Sequence, residues 1–259
     1  MKNPFVLVPY ENKVLFCDRE SETENILDDL LNGVNVTLIS PRRLGKTGLI
    51  YRIFEELKKK EPSVIKCYCD IYSASNIEDF IKLLAEAVVK NVQDRSILKK
   101  FFSAFGGVRP LLSYDSISGT PQVTITYQND KQKETSLKEI FDFLGKQKKK
   151  IVVAIDEFQE IRNFKDVNME ALLRSYIQPL KNVSFIFCGS KKHVMTDMFT
   201  NAKSPFYEST HCIYLGKIEH DKYVRFIKKL FAMGRFTIDD ESLDFIMEWT
   251  RGHTFYTQS

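Results

Sequence analysis

The chain has 259 residues, of which 43% are hydrophobic and 28% are charged, and its formal net charge is +4. This is the composition of a globular protein with a sizeable core, and the charge is too small to indicate a nucleic-acid-binding surface. No apolar run approaches the roughly 18 residues of a membrane-spanning helix, which excludes a membrane-embedded protein. Residues 1–10 are too short and too interrupted by proline for a signal peptide. Five cysteines, an odd number in mostly apolar stretches, favour a reducing cytosol over a disulfide framework, so a cytoplasmic protein is expected.

Strand and helix patterns alternate along the first half of the chain, as β-branched runs and apolar residues at helical spacing show. The predicted elements are a strand at 35–40, a helix at 45–60, a strand at 64–70, a helix at 77–92 and a short helix at 95–105. Glycine, proline and serine then punctuate two β-rich runs, which predicts a β-hairpin inserted at 106–130.

The alternation continues to residue 215 and then gives way to helices. The later predicted elements are a helix at 137–147, strands at 151–155, 183–188 and 211–215, and helices at 169–180, 221–233 and 240–250. Nearly continuous apolar strands separated by helices predict a parallel sheet covered on both faces. The end of the strands predicts a boundary between a core at 1–215 and a helical unit at 216–259.

The segment LISPRRLGKTG at 38–48 matches the phosphate-binding signature G-x-x-x-x-G-K-[ST] except at its first position, which is Ser40. A residue before proline is pushed towards extended backbone angles, so the strand can continue through Ser40 while Pro41 sets the turn. Gly45 is expected to bring its backbone close to the phosphates, where a side chain would collide. The following helix would present its free N–H groups to the anion. Taken alone, the segment could also be a surface turn that contains GKT by chance.

Each position of this loop therefore has a predicted role in nucleotide binding. Lys46 would place its ammonium group between the β- and γ-phosphates, and the Thr47 hydroxyl would bind Mg²⁺. The predicted nucleotide-binding residues are Ser40, Pro41, Arg42, Arg43, Leu44, Gly45, Lys46, Thr47 and Gly48.

A second motif follows the apolar strand IVVAI, which ends in Asp156 and Glu157. Ligands of open α/β sheets bind at the carboxyl ends of the strands, so both carboxylates are expected at the ligand crevice. Asp156 suits the Mg²⁺ shell, commonly through water, and Glu157 suits the base that polarises an attacking water. Ser190, after the strand at 183–188, is either a contact to the γ-phosphate or water, or part of an ordinary Gly-Ser turn.

The segments PRRLGKT, IDEFQE, FCGS with a basic helix after it, SPFY and RGHTFY together resemble the archaeal-type AAA+ ATPases, relatives of the STAND and origin-recognition ATPases. The resemblance covers nearly the whole chain. It implies an α/β P-loop NTPase fold of the AAA+ (ASCE) class, with strand order 5-1-4-3-2 and the acid-bearing strand two places from the phosphate-loop strand. It also implies an α-helical lid, normally followed by a winged helix.

The resemblance assigns residues motif by motif. It makes Lys46 and Thr47 the Walker A residues, the acids at 156–157 the Walker B residues, and Ser190 the sensor. The segment FCDRE at 16–20 resembles one that lies near the adenine in this family, which implies that Arg19 contacts the nucleotide. A helix start capped by Asp18 is an alternative explanation of the same segment, and both can hold.

The sequence departs from the family pattern at four places. Besides Ser40, the motif at 205–207 is followed by Glu-Ser-Thr where the family often has an arginine, so an arginine finger from this place is in doubt. The late motif at 252–254 is G-H-T instead of G-x-P, which makes its contact to adenine less certain. Because the family would continue beyond Ser259, we expect an incomplete lid, in a fragment or in a protein without the effector region.

The expected function is a Mg²⁺-dependent, slow ATPase that acts as a switch, with ATP and Mg²⁺ as ligands and an unknown protein partner or self-association. One alternative is the ATPase arm of a DNA-acting system, with DNA bound by the missing C-terminal region and by auxiliary contacts. Those contacts would come from Arg42, Arg43, Lys191 and Lys192, which solvated loop charges explain equally well. Another alternative is a scaffold that binds nucleotide but hardly hydrolyses it. No N/T-K-x-D segment for guanine is present, which favours ATP over GTP.

Overall fold

The computed structural model describes residues 5, 10, 12–92, 95–165 and 167–259. The prediction that residues 1–10 are not a signal peptide concerns a segment of which only residues 5 and 10 are among those described. No helix in the described part of the chain combines the length and the apolar character needed to span a bilayer.

The strands form a parallel sheet and a separate antiparallel hairpin. They are β1 (Val36–Ile39), β2 (Ile65–Asp70), β3 (Leu111–Tyr114), β4 (Pro121–Thr124), β5 (Ile151–Asp156), β6 (Val183–Gly189) and β7 (His211–Tyr214). The parallel sheet has the order β7-β1-β6-β5-β2, and β3 pairs with β4. Counting only the strands of the parallel sheet along the chain, this is the predicted order 5-1-4-3-2. The acid-bearing strand β5 thus lies two places from the phosphate-loop strand β1, with β6 between them.

The helices lie between and after these strands. They are α1 (Glu20–Leu31), α2 (Lys46–Lys60), α3 (Ile77–Asn91), α4 (Arg95–Ser103), α5 (Asp130–Gly145), α6 (Met169–Ile177), α7 (Lys192–Thr200), α8 (His220–Met233), α9 (Asp240–Thr250) and α10 (Thr254–Gln258). Short 3-10 helices occupy Lys13–Leu15 and Phe158–Asn163. The predicted helices are all present, and α5 begins earlier than predicted because Asn129 caps it by accepting a hydrogen bond from the Gln132 N–H at 3.0 Å.

The suggested cap at Asp18 is wrong. Helix α1 begins at Glu20, and the residue at its cap position is Arg19, whose φ is 73° and whose side chain makes no capping hydrogen bond. The Asp18 carboxylate instead accepts a hydrogen bond from Lys222 Nζ of α8 at 3.1 Å. The backbone at residue 18 is also left-handed (φ 58°), whereas a capping residue typically has an extended backbone.

Both faces of the parallel sheet are buried. On β5, Val153 and Ile155 belong to the apolar cluster that contains α3, α5 and α6, whereas Val152 and Ala154 belong to the cluster that contains α1 and α2. Alternate residues of a strand point to opposite faces, so this strand must be apolar throughout. A third apolar cluster joins α8 and α9 to Cys17 and is separate from both sheet clusters.

Candidate active site

The phosphate loop joins β1 to α2 at the carboxyl edge of the sheet. The Ser40 N–H donates to the Gly189 carbonyl at 3.1 Å, which extends the pairing of β1 with β6 by one residue. Left-handed backbone angles occur further along the loop, at Arg43 (φ 64°) and Gly45 (φ 87°), and not at Ser40. The first position of this loop therefore does not require glycine, as predicted from the proline that follows it.

Gly45 is required for its backbone conformation. Its φ of 87° lies in the region that favours glycine, and an added Cβ would meet no protein atom within 4 Å. Crowding by the protein is thus not what demands glycine here, and the predicted collision with a phosphate stays a prediction. Directly after Gly45, α2 starts with Lys46, so the first N–H groups of α2 lie beside the loop.

The loop and the end of β5 bring four predicted residues together. Lys46 Nζ lies 2.6 Å from Asp156 Oδ1 and 3.3 Å from Glu157 Oε1. The Thr47 hydroxyl donates to Asp156 Oδ2 at 3.1 Å. Lys46 and Asp156 are both buried, and their opposite charges compensate each other.

The charges of this cluster suit phosphate chemistry at neutral pH. Burial on its own disfavours the Lys46 ammonium, but the carboxylates of Asp156 and Glu157 outweigh it and raise the pKa of Lys46. Burial also acts to raise the pKa of Glu157, but hydrogen bonds from Ser190 and Gln159, together with the Lys46 charge, lower that pKa overall. The site therefore holds a cation next to an ionised carboxylate.

Glu157 is held from two sides. Its backbone is in the left-handed region (φ 56°), and a non-glycine residue in that conformation is uncommon outside functional or tightly constrained sites. The Ser190 hydroxyl donates to Glu157 Oε2 at 2.6 Å, and Gln159 Nε2 donates to the same oxygen at 2.5 Å. The structure thus brings Ser190 to the predicted base, whereas its contact with the γ-phosphate or water stays a prediction. Gln159 was missed by the sequence analysis.

Tyr68 and Asp70 are two further polar residues at the site that the sequence analysis missed. The Tyr68 hydroxyl donates to Asp156 Oδ2 at 2.8 Å, and Asp70 is the register partner of Asp156 on the neighbouring strand. Burial, reinforced by the nearby Asp156 carboxylate, raises the pKa of both side chains. Their position at the carboxyl end of the second predicted strand was an available signal, because parallel strands end at the same edge of a sheet.

A cleft of about 510 Å³ lies over these residues. Most of the predicted site residues line it, namely Arg19, Arg42, Arg43, Leu44, Gly45, Lys46, Thr47, Gly48, Asp156 and Glu157. Ser40, Pro41 and Ser190 are not among the described residues that line the cleft. Ser40 is fully buried and its hydroxyl donates to the Pro41 carbonyl at 3.1 Å, and its contact with nucleotide stays a prediction.

The same cleft is also lined by apolar side chains, and it includes the C-terminal helix α10. Phe16, Ile218 and Phe255 line it together with Thr254, so the departure at 252–254 does not remove this segment from the site. The Arg43 guanidinium lies 4.2 Å from the centre of the Phe255 ring, which joins the phosphate loop to α10. Apolar and aromatic walls with a few polar groups are typical of sites that bind a planar ring.

Oxygen ligands suitable for Mg²⁺ converge at one point of the cluster. Asp156 Oδ2 accepts hydrogen bonds from both Thr47 and Tyr68, so one carboxylate and one hydroxyl oxygen of a suitable type lie side by side. Within the described residues no group of three or more His, Cys, Asp or Glu side chains could hold a metal by itself. Mg²⁺ sites in nucleotide-hydrolysing proteins commonly use one or two protein ligands and complete the shell with phosphates and water, so the residues present fit this ion.

Comparison with known proteins gives a family and a set of similar folds. The sequence profile of a family described as an ATPase domain predominantly from Archaea matches residues 16–254. Comparison with curated protein sequences gives no match. Among solved structures, the chain is similar to the Walker-type ATPase of Pyrococcus abyssi, with a TM-score of 0.66, 21% identity, and coverage of 98% of this chain and 69% of that one.

Two origin-recognition proteins of Aeropyrum pernix are also similar. The ORC2 protein gives a TM-score of 0.60 at 16% identity and covers 99% of this chain and 63% of that one. The ORC1 protein, solved in complex with DNA, gives 0.58 at 12% identity and covers 94% of this chain and 58% of that one. At these identities the likeness shows the fold alone, and the chain spans between 58% and 69% of the three proteins.

Proposed function

Since this chain belongs to the family of ATPase domains found predominantly in Archaea, we propose that it is a Mg²⁺-dependent AAA+ ATPase that acts as a nucleotide-controlled switch. Membership of this family supports ATP binding and an ATPase activity, whereas hydrolysis by this chain, its magnesium dependence and the switch are the further claims. The observation that supports them is the meeting of Lys46, Thr47, Asp156 and Glu157 in a cleft that the C-terminal helix α10 also lines.

Each residue of the cluster has a separate proposed role in ATP binding or hydrolysis. Lys46 and the first N–H groups of α2 would bind the β- and γ-phosphates. Thr47 and Asp156 would hold Mg²⁺, which when bound neutralises phosphate charge in the transition state. Glu157 is ionised at neutral pH, so its carboxylate can orient a water molecule and accept its proton.

The switch would depend on the helices that follow the sheet. We propose residues 1–215 as the core and 216–259 as a lid, because α8 and α9 pack around an apolar cluster that is separate from both sheet clusters and includes Cys17 of the core. The lid touches the same cleft as the phosphate loop, through Ile218 and Phe255. A nucleotide in the cleft would contact both parts and so favour one arrangement of the lid over others.

A DNA-acting role is the second candidate, and the ORC1 protein solved with DNA is the observation that favours it. In this chain the basic residues considered for DNA contacts already have intramolecular partners. Arg42 lies 5.1 Å from the Tyr72 ring centre, Arg43 4.2 Å from that of Phe255, Lys192 5.7 Å from that of Tyr214, and Lys191 2.8 Å from Glu160 Oε1. We therefore favour the switch, and the experiment below determines whether DNA changes ATP binding or turnover.

The direct test is ATP binding by calorimetry together with ATP turnover, each with and without duplex DNA and over a range of salt concentrations. The switch predicts measurable ATP affinity and turnover that DNA does not change. Turnover that rises with DNA and falls steeply with salt would favour the DNA-acting arm. Binding without turnover would favour the scaffold, and the absence of ATP binding would contradict the site itself.

The Thr47→Ala substitution is expected to weaken ATP binding mainly in the presence of Mg²⁺, because the lost hydroxyl is a proposed metal ligand. Calorimetric titrations in Mg²⁺ and in EDTA measure the difference. Thr135→Ala, which removes an exposed hydroxyl from α5, is the matched control. An equal loss of affinity in EDTA would point to a packing defect in the loop.

The turnover of the isolated protein is expected to be slow, at or below about 1 per second, the low end of the usual enzyme range. An arginine that neutralises γ-phosphate charge contributes about 10³–10⁵ in rate where it exists, and the position after Tyr207 is Glu208. The Arg19 guanidinium is already engaged by Glu22 and by the Gly216 carbonyl. Steady-state phosphate release over an ATP titration measures the rate, and fast turnover by a monomer without a partner would show that the site is already complete.

A further inference from the structure

Gln159 connects two carboxylates beneath the nucleotide cleft. It follows Glu157 on the 3-10 helix Phe158–Asn163, and its side chain is buried. Its Nε2 donates to Glu157 Oε2 at 2.5 Å and to Glu160 Oε1 at 3.1 Å. Ionised carboxylates only accept hydrogen bonds, so these two contacts fix which end of the amide faces the acids.

The other end of the same amide is unpaired. Gln159 Oε1 is buried and has no hydrogen-bond partner among the described residues. It lies against the backbone of Gly189, where an added Cβ would come within 2.4 Å of it. A buried polar atom without a partner destabilises a fold, so this oxygen offsets part of the stability that the two hydrogen bonds of the amide nitrogen contribute.

Glu160 is the second acceptor of the Gln159 amide, and its own carboxylate is held in place. Lys191 Nζ lies 2.8 Å from Glu160 Oε1, and Asn163 Nδ2 donates to Glu160 Oε2 at 2.6 Å. The Glu160 carboxylate is therefore held by a cation and an amide, and it offers Gln159 an acceptor in a defined place. The same amide nitrogen of Gln159 also donates to Glu157, so it ties the orientation of the Glu157 carboxylate to the held carboxylate of Glu160.

The two oxygens of Glu157 consequently differ in their surroundings. Oε2 accepts hydrogen bonds from Gln159 and Ser190, whereas Oε1 lies 3.3 Å from Lys46 Nζ on the side of the phosphate loop. Two donors on one oxygen prevent the carboxylate from rotating freely. Catalytic groups must be held within a fraction of an ångström of their working position, since a misplacement of about 1 Å can cost about 10²-fold in rate.

We propose that Gln159 is a positioning residue for ATP hydrolysis, one that holds the Glu157 carboxylate in the orientation it needs to act on water. This inference rests on the proposed function, because it requires Glu157 to be the base. Gln159 touches neither nucleotide nor water in this role and acts only through Glu157.

The Gln159→Met substitution tests this role with little change of side-chain size. It removes two hydrogen bonds to carboxylates but also the unpaired buried oxygen, and these effects on stability oppose each other, so thermal stability should change little. The turnover number should fall roughly 10- to 100-fold because Glu157 loses its orientation, while ATP affinity, measured with Mg²⁺ and with EDTA, should stay within about twofold. Gln178→Met, an exposed glutamine at the end of α6, is the matched control and should change neither quantity.

Gly189→Ala is a second, independent variant, since it displaces the amide without deleting it. The new methyl group would lie 2.4 Å from Gln159 Oε1 and equally close to the flexible Met195 side chain. We expect the same loss of turnover, with some loss of thermal stability from the shift of Met195.

A double-mutant cycle separates positioning from a structural role. If Gln159 acts through Glu157, Gln159→Met should cause little further loss of single-turnover rate when combined with Glu157→Gln. Absence of wild-type hydrolysis, or a Glu157→Gln variant at wild-type speed, would overturn the proposed function and this inference with it. If those two results are as expected, three outcomes would overturn the role of Gln159 alone. They are wild-type turnover in Gln159→Met, a loss of single-turnover rate on Gln159→Met that is as large in the Glu157→Gln background as in the wild type, and unfolding of both Gln159→Met and Gly189→Ala.

Discussion

The Glu157→Gln variant is expected to bind ATP with nearly unchanged affinity and to lose hydrolysis by roughly 10²–10⁴-fold, the usual contribution of a general base. The substitution preserves the size of the side chain and leaves an oxygen that can still accept the Ser190 hydroxyl. A neutral amide, however, cannot take the proton of an attacking water. Lys46, Thr47 and Asp156 are untouched, so the phosphate and metal contacts should survive.

Single-turnover hydrolysis and calorimetric ATP binding measure the two halves of this expectation separately. Glu24→Gln makes the same chemical change at an exposed position of α1 and is the control for a general effect of charge removal. A Glu157→Gln variant that turns over at wild-type speed would exclude Glu157 as the base. Loss of ATP affinity in step with turnover would instead assign Glu157 to binding.

The Lys46→Ala variant is expected to lose Mg·ATP binding. The ammonium is buried and lies 2.6 Å from Asp156 Oδ1 and 3.3 Å from Glu157 Oε1. Its removal leaves two carboxylates without compensation and exposes the phosphates to them. Truncating one partner of a buried charge pair between two binding partners costs about 2–5 kcal/mol, so the loss of the ammonium–phosphate contact should lower ATP affinity on the order of 10²-fold or more.

Because the same change destabilises the cluster itself, the fold of Lys46→Ala must be checked by circular dichroism and thermal unfolding. Lys90→Ala, at an exposed position of α3, controls for the loss of one positive charge from the protein. Unchanged ATP affinity in a folded Lys46→Ala protein would mean that the loop at 40–48 is not the phosphate-binding element.

Short stretches of the sequence were sufficient to predict the strands of the sheet and the two motifs at 40–48 and 156–157. Strand β5 is buried at each of its positions, as its unbroken apolar run indicated, and α2 begins at Lys46 directly after a glycine with φ 87°. These features depend on backbone preferences and on side-chain periodicity within a few residues, which a sequence records directly. The absence of a strained backbone at Ser40 was predictable for the same reason, since it follows from the next residue, Pro41.

Local signals failed where a distant partner decided the conformation. Asp18 has the right chemistry for a helix cap, yet its carboxylate pairs with Lys222, 204 residues further along the chain. At Asp18 the tertiary contact outweighs the local preference. Helix α10 is the shortest of the described α-helices, and its five residues are too few to show an apolar periodicity, although Phe255 brings it to the phosphate loop.

By itself the sequence determined the family, the strand order implied by it, and the order of Lys46, Thr47, Asp156 and Glu157 along the chain. Only the tertiary structure decided which side chains support them. Tyr68 reaches Asp156 across 88 residues because β2 pairs with β5 in a register that sets residue 70 opposite residue 156. Ser190 reaches Glu157 across 33 residues because β6 lies beside β5. Such contacts depend on strand register and on the close packing of distant segments, and no pattern within a short stretch of sequence specifies either.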